Sequence, residues 1–137
     1  MAAATPATHS PWPADPAEHL VVVLGASPKP ERYSNQAVCL LREMGYRVIP
    51  VHPRESHIEG IATATNLRVI RERVHTLTLY VGADRSRLLI DDILDLQPGR
   101  VIFNPGSESP ELDQHLRAAG IAGIEGCTLV MLKTRQF

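Results

Sequence analysis

The sequence predicts an α/β protein in which a doubly wound parallel sheet of about five strands carries helices on both faces. Apolar, β-branched runs alternate along the chain with segments of helical periodicity, and this alternation is typical of right-handed βαβ units. The first run, Leu20–Leu24, is apolar at every position. Such a run indicates a strand that is buried on both faces, as in the interior of a parallel sheet.

The first strand leads into a turn and a helix. Gly25 follows Leu20–Leu24 and allows a sharp change of direction, since glycine has no Cβ. Ser34 is expected to cap the next helix, and Gly45 to follow its end. The apolar positions of that helix are Ala37, Val38, Leu41 and Met44.

Four further strands follow at regular spacing. They are expected at Tyr46–Val51, Thr76–Val81, Arg100–Phe103 and Ile121–Glu125. Pro50 cannot donate a hydrogen bond to a neighbouring strand, which suggests that the second strand lies near the edge of the sheet.

The connecting segments differ in how clearly they predict helices. Ser109-Pro110-Glu111 combines an N-cap, a proline at the first helical position and an acidic first turn, and the helix should end at Gly120. Asp84 is expected to cap a helix with Leu88, Leu89, Ile93 and Leu96 as its apolar positions. A short helix is predicted around Leu67, Ile70 and Val74, and a loop anchored by Ile58 and Ile61 precedes it. The type of the apolar segment Leu129–Leu132 stays open.

Composition excludes several classes of protein. The formal net charge of −1 and the aromatic fraction of 4% offer no electrostatic or stacking surface for nucleic acid. Two cysteines without zinc-ligand spacing argue against a disulfide framework or a metal centre. No apolar segment approaches membrane-spanning length, and residues 1–18 lack the features of a secretory signal. We therefore expect a cytoplasmic protein that binds neither nucleic acid nor membranes.

The chain length favours one folded domain. Residues 1–16 are rich in proline and alanine and are expected to form a flexible tail. Residues 17–137 are expected to fold as a single domain with a substantial core. Trp12, within the tail, could dock on this domain, dock on a partner or be exposed.

Ligands of a doubly wound sheet bind beyond the carboxyl ends of its strands. Four predicted strand ends carry turn-forming or polar residues, namely Gly25-Ala26-Ser27, His52-Pro53-Arg54, Gly82-Ala83 and Asn104-Pro105-Gly106. We therefore predict the binding site at this edge. The last of the four could also be a simple type II turn, for which Pro-Gly is a natural pair.

The loop after Gly25 has the composition of a phosphate site. Backbone N–H groups at a helix start carry partial positive charge, and Ser27, Lys29, Arg32 and Ser34 add hydroxyls and cations. A dinucleotide fingerprint is absent, because a G-x-G-x-x-G register from Gly25 has serine and proline at its other glycine positions. No Walker motif follows either.

Four segments together resemble the CoA-binding-domain family, whose members are small Rossmann-like proteins that often stand alone. They read VVLGASPKPERYSN (Val22–Asn35), GYRVIPVHPR (Gly45–Arg54), FNPGSE (Phe103–Glu108) and GCTLVML (Gly126–Leu132). The similarity covers nearly the whole predicted domain. The fold is also similar to the N-terminal domain of the succinyl-CoA ligase α subunit, which carries its phosphorylated histidine on a further domain.

The resemblance implies a small nucleotide ligand, coenzyme A or an acyl-CoA, with its ADP part on the Gly25 turn. The residues expected to bind this cofactor are Gly25, Ala26, Ser27, Lys29, Arg32, Ser34, Asn35, His52, Pro53, Arg54, Gly82, Asn104, Pro105 and Gly106.

The residues themselves disfavour NAD. NAD sites usually carry an acidic residue at the end of the second strand, but this sequence has His52-Pro53-Arg54 there. Arg54 would tolerate a phosphorylated ribose, which CoA and NADP share. His52 could donate to a phosphate, pack beneath the adenine or be a solvated loop residue.

No pattern in the sequence indicates catalysis. It shows no nucleophile–base pair, metal-ligand cluster or paired carboxylates at a strand end, and both Cys39 and Cys127 are interpreted as structural. We expect a stand-alone binding module, either as a homodimer or with a partner enzyme chain. Two alternatives stay open: a small NADP-binding enzyme or redox sensor, and a ligand-binding subunit of an acyl-CoA ligase.

Overall fold

A five-stranded parallel sheet with helices on both faces forms the protein, which confirms the predicted fold class. The structure, a computed structural model, describes residues 12–137. In chain order the strands are β1 Leu20–Leu24, β2 Arg47–Val51, β3 His57–Ile58, β4 Ile61–Ala62, β5 Thr76–Leu79, β6 Arg100–Phe103 and β7 Ala122–Glu125. The parallel sheet has the order β2-β1-β5-β6-β7, and β3 pairs with β4 as a separate antiparallel hairpin.

Within residues 12–137, five α-helices connect or follow the strands. They are α1 Tyr33–Glu43, α2 Ala83–Ser86, α3 Ile90–Leu96, α4 Pro110–Ala118 and α5 Thr128–Lys133. Short 3-10 turns occupy Pro16–Glu18, Leu67–Val69 and Arg87–Leu89. None of the helices in residues 12–137 is long and apolar enough to cross a membrane.

Strand β1 is the centre of the core because both of its faces are covered. Val21 and Val23 pack in a cluster with α1 and with Leu132 of α5. The alternate residues, such as Val22, belong to a second cluster that includes Ile93 of α3 and residues of α4. All five β1 side chains are buried, which explains the uninterrupted apolar run in the sequence.

The strand order reverses at β1. The chain passes from β1 to β2 on one side, then returns past β1 to β5 on the other. Such a reversal opens a crevice at the carboxyl end of the strand, where ligands of doubly wound sheets bind.

Strand β2 lies at the edge of the sheet, as Pro50 suggested. Pro50 is in register with Val23 of β1, and its carbonyl accepts from the Ala64 N–H at 2.9 Å on the outer side. In a strand the N–H and the carbonyl of one residue point to the same side. The N–H that proline lacks would therefore point away from β1, so no hydrogen bond to β1 is lost.

Two helix starts differ from the prediction. Arg32, not Ser34, is the N-cap of α1, and Ser34 is buried inside its first turn. Gly82, not Asp84, is the N-cap of α2. In both cases the helix begins earlier in the chain than the predicted capping residue, because tertiary packing overrides a weak capping preference.

Two apolar positions and one predicted helix also differ from the prediction. Met44 is 39% exposed at the end of α1, and Leu88 is 79% exposed. The 3-10 turn Arg87–Leu89 interrupts the expected helix after Asp84 and rotates Leu88 away from the sheet. The predicted helix around Ile70 is only the 3-10 turn Leu67–Val69.

The structure confirms the Ser109 cap and the type II turn, and it assigns a type to the segment that the sequence left open. Ser109 accepts from the Leu112 N–H at 3.1 Å as the N-cap of α4. Asn104–Ser107 is a type II turn, because the Ser107 N–H donates to the Asn104 carbonyl at 2.8 Å and Gly106 has a φ of 91°. The open segment Leu129–Leu132 is helical within α5.

The amino ends of the strands are closed by aromatic rings. The Arg100 guanidinium carbon lies 4.7 Å from the Trp12 ring centroid and 4.5 Å from that of Phe137. Arg100 Nε donates to Thr76 Oγ1 at 2.9 Å, and the same oxygen lies 2.9 Å from His19 Nε2. Trp12 therefore packs on the domain, while residues 1–11 of the expected tail lie outside the described residues.

Candidate functional site

The turn at Gly25 leaves no room for a side chain. Gly25 has a φ of 88°, and a Cβ built there would lie 2.8 Å from Val81 Cγ1 and 3.0 Å from the Tyr80 carbonyl oxygen. The chain after β1 thus passes directly against the chain after β5. This close approach requires glycine for two reasons, its backbone conformation and its lack of a Cβ.

The loop between Gly25 and α1 exposes two cations. Ser27 Oγ accepts from the Lys29 N–H at 3.1 Å, and the Arg32 N–H donates to the Lys29 carbonyl at 3.0 Å. Lys29 and Arg32 are both exposed, and the Arg32 side chain makes no capping hydrogen bond to α1. The N–H groups of the first turn therefore keep their partial positive charge at the end of this loop.

Asn35 anchors the loop to the rest of the domain. Its amide nitrogen donates to the Ser27 carbonyl at 2.9 Å and to Glu59 Oε2 at 3.0 Å. Glu59 lies in the turn between β3 and β4, so one amide joins the loop, α1 and this hairpin. Asn35 and Ser34 are both buried, at 2% and 5% exposed. The two residues therefore shape the loop from beneath.

A pocket of about 360 Å³ opens beside the Gly25 turn, toward β2, and we call it the β2-side pocket. Among its lining residues are Gly25, Ala26, His52, Pro53 and Arg54, so the fold brings together five of the predicted site residues. Its other lining residues are Leu24, Val51, Thr65, Asn66, Leu67, Arg85 and Leu89. No aspartate or glutamate is among these described lining residues, and two arginines are.

His52 is held in one orientation at this pocket. Its Nδ1 accepts from the N–H groups of Arg54, at 3.0 Å, and Glu55, at 2.9 Å. With Nδ1 as the acceptor, the neutral ring carries its proton on Nε2. Nε2 is therefore a hydrogen-bond donor, which suits an anionic ligand.

A second pocket, of about 470 Å³, lies on the other side of the loop, and we call it the α5-side pocket. It is lined by Tyr33, Gln36, Tyr80, Asn104, Pro105, Cys127, Leu129, Val130 and Lys133. Cys127 is half-buried here as the N-cap of α5, and its interpretation as a structural cysteine stays a prediction. Cys39 is half-buried as well.

The Asn104 side chain is committed to hydrogen bonds within the protein. Its amide nitrogen donates to Thr78 Oγ1 at 2.6 Å and to the Leu79 carbonyl at 2.8 Å, while Oδ1 accepts from the Thr128 N–H at 2.8 Å. These bonds join the ends of β5 and β6 to the start of α5. Asn104 therefore positions the neighbouring Pro105, which lines the α5-side pocket.

Gly82 and Gly106 bring two further strand ends close together. A Cβ built on Gly82 would lie 4.0 Å from the Gly106 carbonyl oxygen. Gly82 is also the N-cap of α2, which carries Arg85 to the β2-side pocket.

Sequence reasoning missed several lining residues. Arg85 had a usable signal, since it lies in the short helix directly after a glycine at a strand end. Tyr33 and Lys133 had none, because they meet only through the packing of α1 against α5. Tyr80 follows β5 directly, at a position where the prediction extended the strand.

The match to a family model covers most of the chain. The model described as CoA binding domain matches residues 19–133, the whole sheet and all five helices. Among curated proteins no match is found.

Solved structures share this fold. An uncharacterized protein is 37% identical, with a TM-score of 0.77 over 87% of this chain and 98% of its own. A Thermus thermophilus protein, cell-free ID.343, is 30% identical, with a TM-score of 0.80 over 87% of this chain and 90% of its own. The dinucleotide-forming acetyl-coenzyme A synthetase 1 of Ca. Korarchaeum cryptofilum, in complex with phosphate and ADP, is 18% identical with a TM-score of 0.67. That match covers 76% of this chain and 25% of the synthetase, and at this identity it shows the fold alone.

Proposed function

This chain belongs to the CoA binding domain family, and on that premise we propose that it binds coenzyme A or an acyl-CoA at the carboxyl ends of its parallel strands. One observation carries the proposal. The Gly25 turn, Arg54 and Arg85 converge on a single pocket whose described lining residues include no carboxylate. Coenzyme A has a pyrophosphate and a ribose 3′-phosphate, so it needs both a phosphate-binding turn and further cations.

The pyrophosphate is proposed to lie on the loop from Gly25 to the first turn of α1. Backbone N–H groups there can approach a ligand closely because Gly25 has no side chain. Lys29 and Arg32, exposed along the same loop, add positive charge. The Glu59 carboxylate also lies near this helix start, where it accepts from Asn35, so the cations of the loop have to offset its negative charge as well.

The phosphorylated ribose is proposed to lie in the β2-side pocket. Arg54 and Arg85 would hold the 3′-phosphate, and His52 Nε2 would add a donor. An NAD ribose, which needs an acidic partner for its hydroxyls, finds none among the described lining residues of this pocket.

We further propose that the protein has no catalytic activity of its own. Cys127 is the one nucleophilic thiol among the residues that line the α5-side pocket, and the same lining includes no histidine or carboxylate to activate it. Serine, histidine and carboxylate groups are likewise not assembled as a triad in the lining of the β2-side pocket.

Isothermal titration with four ligands tests the binding proposal. Coenzyme A should bind, and dephospho-CoA should bind roughly ten- to a hundredfold more weakly, since it lacks the phosphate that a charge-assisted hydrogen bond would hold. NAD should bind more weakly still. Binding of NADP without binding of coenzyme A would overturn the proposal in favour of an NADP-dependent protein.

Incubation with acetyl-CoA or succinyl-CoA tests the absence of catalysis. Free thiol should form no faster than in a protein-free control. Thiol release that disappears in Cys127→Ser or His52→Ala would show that the protein is an enzyme.

A further inference from the structure

The turn between β3 and β4 contains a residue in an unusual backbone conformation. Glu59 and Gly60 are the two loop residues between Ile58 and Ile61, which pair with each other. Both have a positive φ, 52° and 78°, as in the type I′ turn that suits a two-residue hairpin loop. Asparagine, aspartate and glycine adopt this conformation readily, whereas glutamate does so at a cost in energy. A costly conformation persists where the surrounding structure holds it, and here it directs attention to the Glu59 side chain.

Helix α1 holds this turn by two hydrogen bonds to Glu59. Arg42 Nη1 donates to the Glu59 carbonyl oxygen, and Asn35 Nδ2 donates to Glu59 Oε2 at 3.0 Å. Glu59 is half-buried and is not among the lining residues of the β2-side pocket or the α5-side pocket. It therefore contacts the residue that anchors the loop after β1, and it does not contact a ligand in either pocket.

The two partners of the Asn35 amide give that amide one orientation. The Ser27 carbonyl oxygen, at 2.9 Å, and the Glu59 carboxylate can only accept, so the two Nδ2 protons must face them. Asn35 is 2% exposed, so water does not replace a missing partner easily. Without the Glu59 carboxylate one proton would lose its acceptor, and a rotated amide would place Oδ1 against the Ser27 carbonyl oxygen.

The direction of the Ser27 carbonyl affects a phosphate on the loop. Pro28 and Pro30 have no N–H, so the loop has few backbone donors, and a carbonyl oxygen that faced the ligand would repel it. Donation from Asn35 keeps the Ser27 carbonyl directed into the protein. Ser27 Oγ also accepts from the Lys29 N–H at 3.1 Å, so the placement of Ser27 determines the course of the next residues.

We propose that Glu59 is a positioning residue for the phosphate-binding loop: through Asn35 it keeps the Ser27 carbonyl turned inward and the loop N–H groups available to the ligand. This inference rests on the proposed function and adds to it a residue outside both pockets. The length of the Glu59 side chain is what matters, since its negative charge opposes an anionic ligand. The unfavourable turn conformation of a glutamate is then the cost of reaching Asn35.

Titration of Glu59→Gln and Glu59→Asn with coenzyme A, each in the full chain, tests the proposal. The two variants have the same charge and differ by one methylene group. Glutamine can still accept from Asn35, whereas asparagine suits the turn better but is too short. Glu59→Gln should bind at least as tightly as the parent. Glu59→Asn should bind roughly tenfold more weakly than Glu59→Gln, the value of one lost hydrogen bond.

Glu43→Gln and Glu43→Asn are the matched control pair, because Glu43 is exposed at the other end of α1. These two variants should have equal affinities for coenzyme A. A larger loss for Glu43→Asn than for Glu43→Gln, equal to that at Glu59, would show that the effect does not depend on the contact with Asn35.

Hydrogen exchange separates positioning from a general loss of stability. In the unliganded protein the Asn35 Nδ2 protons should exchange roughly tenfold faster in Glu59→Asn than in Glu59→Gln, measured by NMR. The backbone amides of β1 should exchange at equal rates in the two variants, since opening of the core reports global stability. Equal acceleration of the β1 amides would mean that Glu59 serves the stability of the fold and would overturn the proposal.

The outcomes distinguish this inference from the proposed function. If the parent binds coenzyme A and the two Glu59 variants bind with equal affinity, the positioning role is wrong and the binding function stands. If Glu59→Gln is weakened as much as Glu59→Asn, the carboxylate charge is what matters and the positioning role is again wrong. If the parent does not bind coenzyme A, the proposed function fails and this inference fails with it.

Discussion

The two ends of the same parallel sheet each carry arginine, but they use it in opposite ways. At the amino ends, Arg100 is 4% exposed, its guanidinium lies between two aromatic rings, and burial lowers its pKa to about 10. At the carboxyl ends, Arg54 is exposed beside an open pocket. The charge of Arg100 is enclosed by the fold, whereas the charge of Arg54 remains available to a ligand.

The amino end has the packing of a core. His19 is 2% exposed and contacts four rings, those of Trp12, Tyr46, His75 and Phe137, at centroid distances of 5.3 to 5.6 Å. These contacts bring the chain before β1 against Phe137, which follows α5. The closed end therefore holds the strands in register, and the loops at the open end are free to serve a ligand.

The largest expected effect concerns the glycine at which the open end turns. Gly25→Ala should destabilise the protein by about 3–5 kcal/mol, because overpacking against Val81 and Tyr80 adds to the backbone strain. The matched variant Gly120→Ala, with a φ of 77° and nothing within 4 Å of the new Cβ, should lose only about 1–2 kcal/mol from strain. Urea unfolding measures both. Equal losses would mean that close approach at Gly25 is unimportant.

Acid should weaken the closed end through His19. Burial, followed by the nearby Arg100 charge, lowers the pKa of His19 from 6.5 to about 4. The unfolded chain therefore binds a proton between pH 6.5 and 4 that the folded protein resists, and stability falls as the pH falls through this window. The loss from this group should reach about 3 kcal/mol below pH 4.

Unfolding free energies of His19→Gln and of the parent, measured at pH 7, 5 and 4, isolate the contribution of His19 to the pH dependence of stability. The parent should lose more stability than the variant over this range. His115→Gln, at an exposed position on α4, should follow the parent. A parent and a His19→Gln variant with parallel pH profiles would show that the burial of His19 has no such consequence.

Arg47 and Arg54 lie at opposite ends of β2, so their variants compare the two ends of the sheet directly. Arg54→Ala should weaken coenzyme A binding roughly ten- to a hundredfold, the value of a charge-assisted hydrogen bond of about 1.5–3 kcal/mol. Arg47→Ala, at the amino end of the same strand, should leave the affinity unchanged. Titration at low and high salt should show a smaller difference at high salt, because the Arg54 contact is exposed. Equal affinities of the two variants for coenzyme A would show that Arg54 does not contribute to the binding site.

The smallest effect is expected for the surface ion pair of Arg47 with Glu72. Their side chains are 49% and 51% exposed, so solvent screens their attraction. Glu72→Gln should change the free energy of unfolding by less than about 1 kcal/mol. A larger loss of stability in urea unfolding would mean that the Glu72 charge stabilises the sheet despite its exposure to solvent.

Local patterns were enough to predict the frame of the site. The apolar run of β1, the Pro-Gly turn after β6 and the Ser109 cap each depend on neighbours in sequence, and each lies where predicted. Parallel strands place their carboxyl ends at one edge, so the strand-end residues could be grouped before their contacts were known. Five of them do line one pocket.

The tertiary structure alone decided which side chains are buried and which face the pockets. Ser34 is buried where a cap was expected, Asn104 is committed to three protein partners, and Cys127 is half-buried beside a pocket. Arg85 and Tyr80 reach the pockets because of how the segments after β5 pack. Periodicity and capping preferences act over a few residues, whereas burial depends on segments that are distant in the chain, so a single sequence does not specify it.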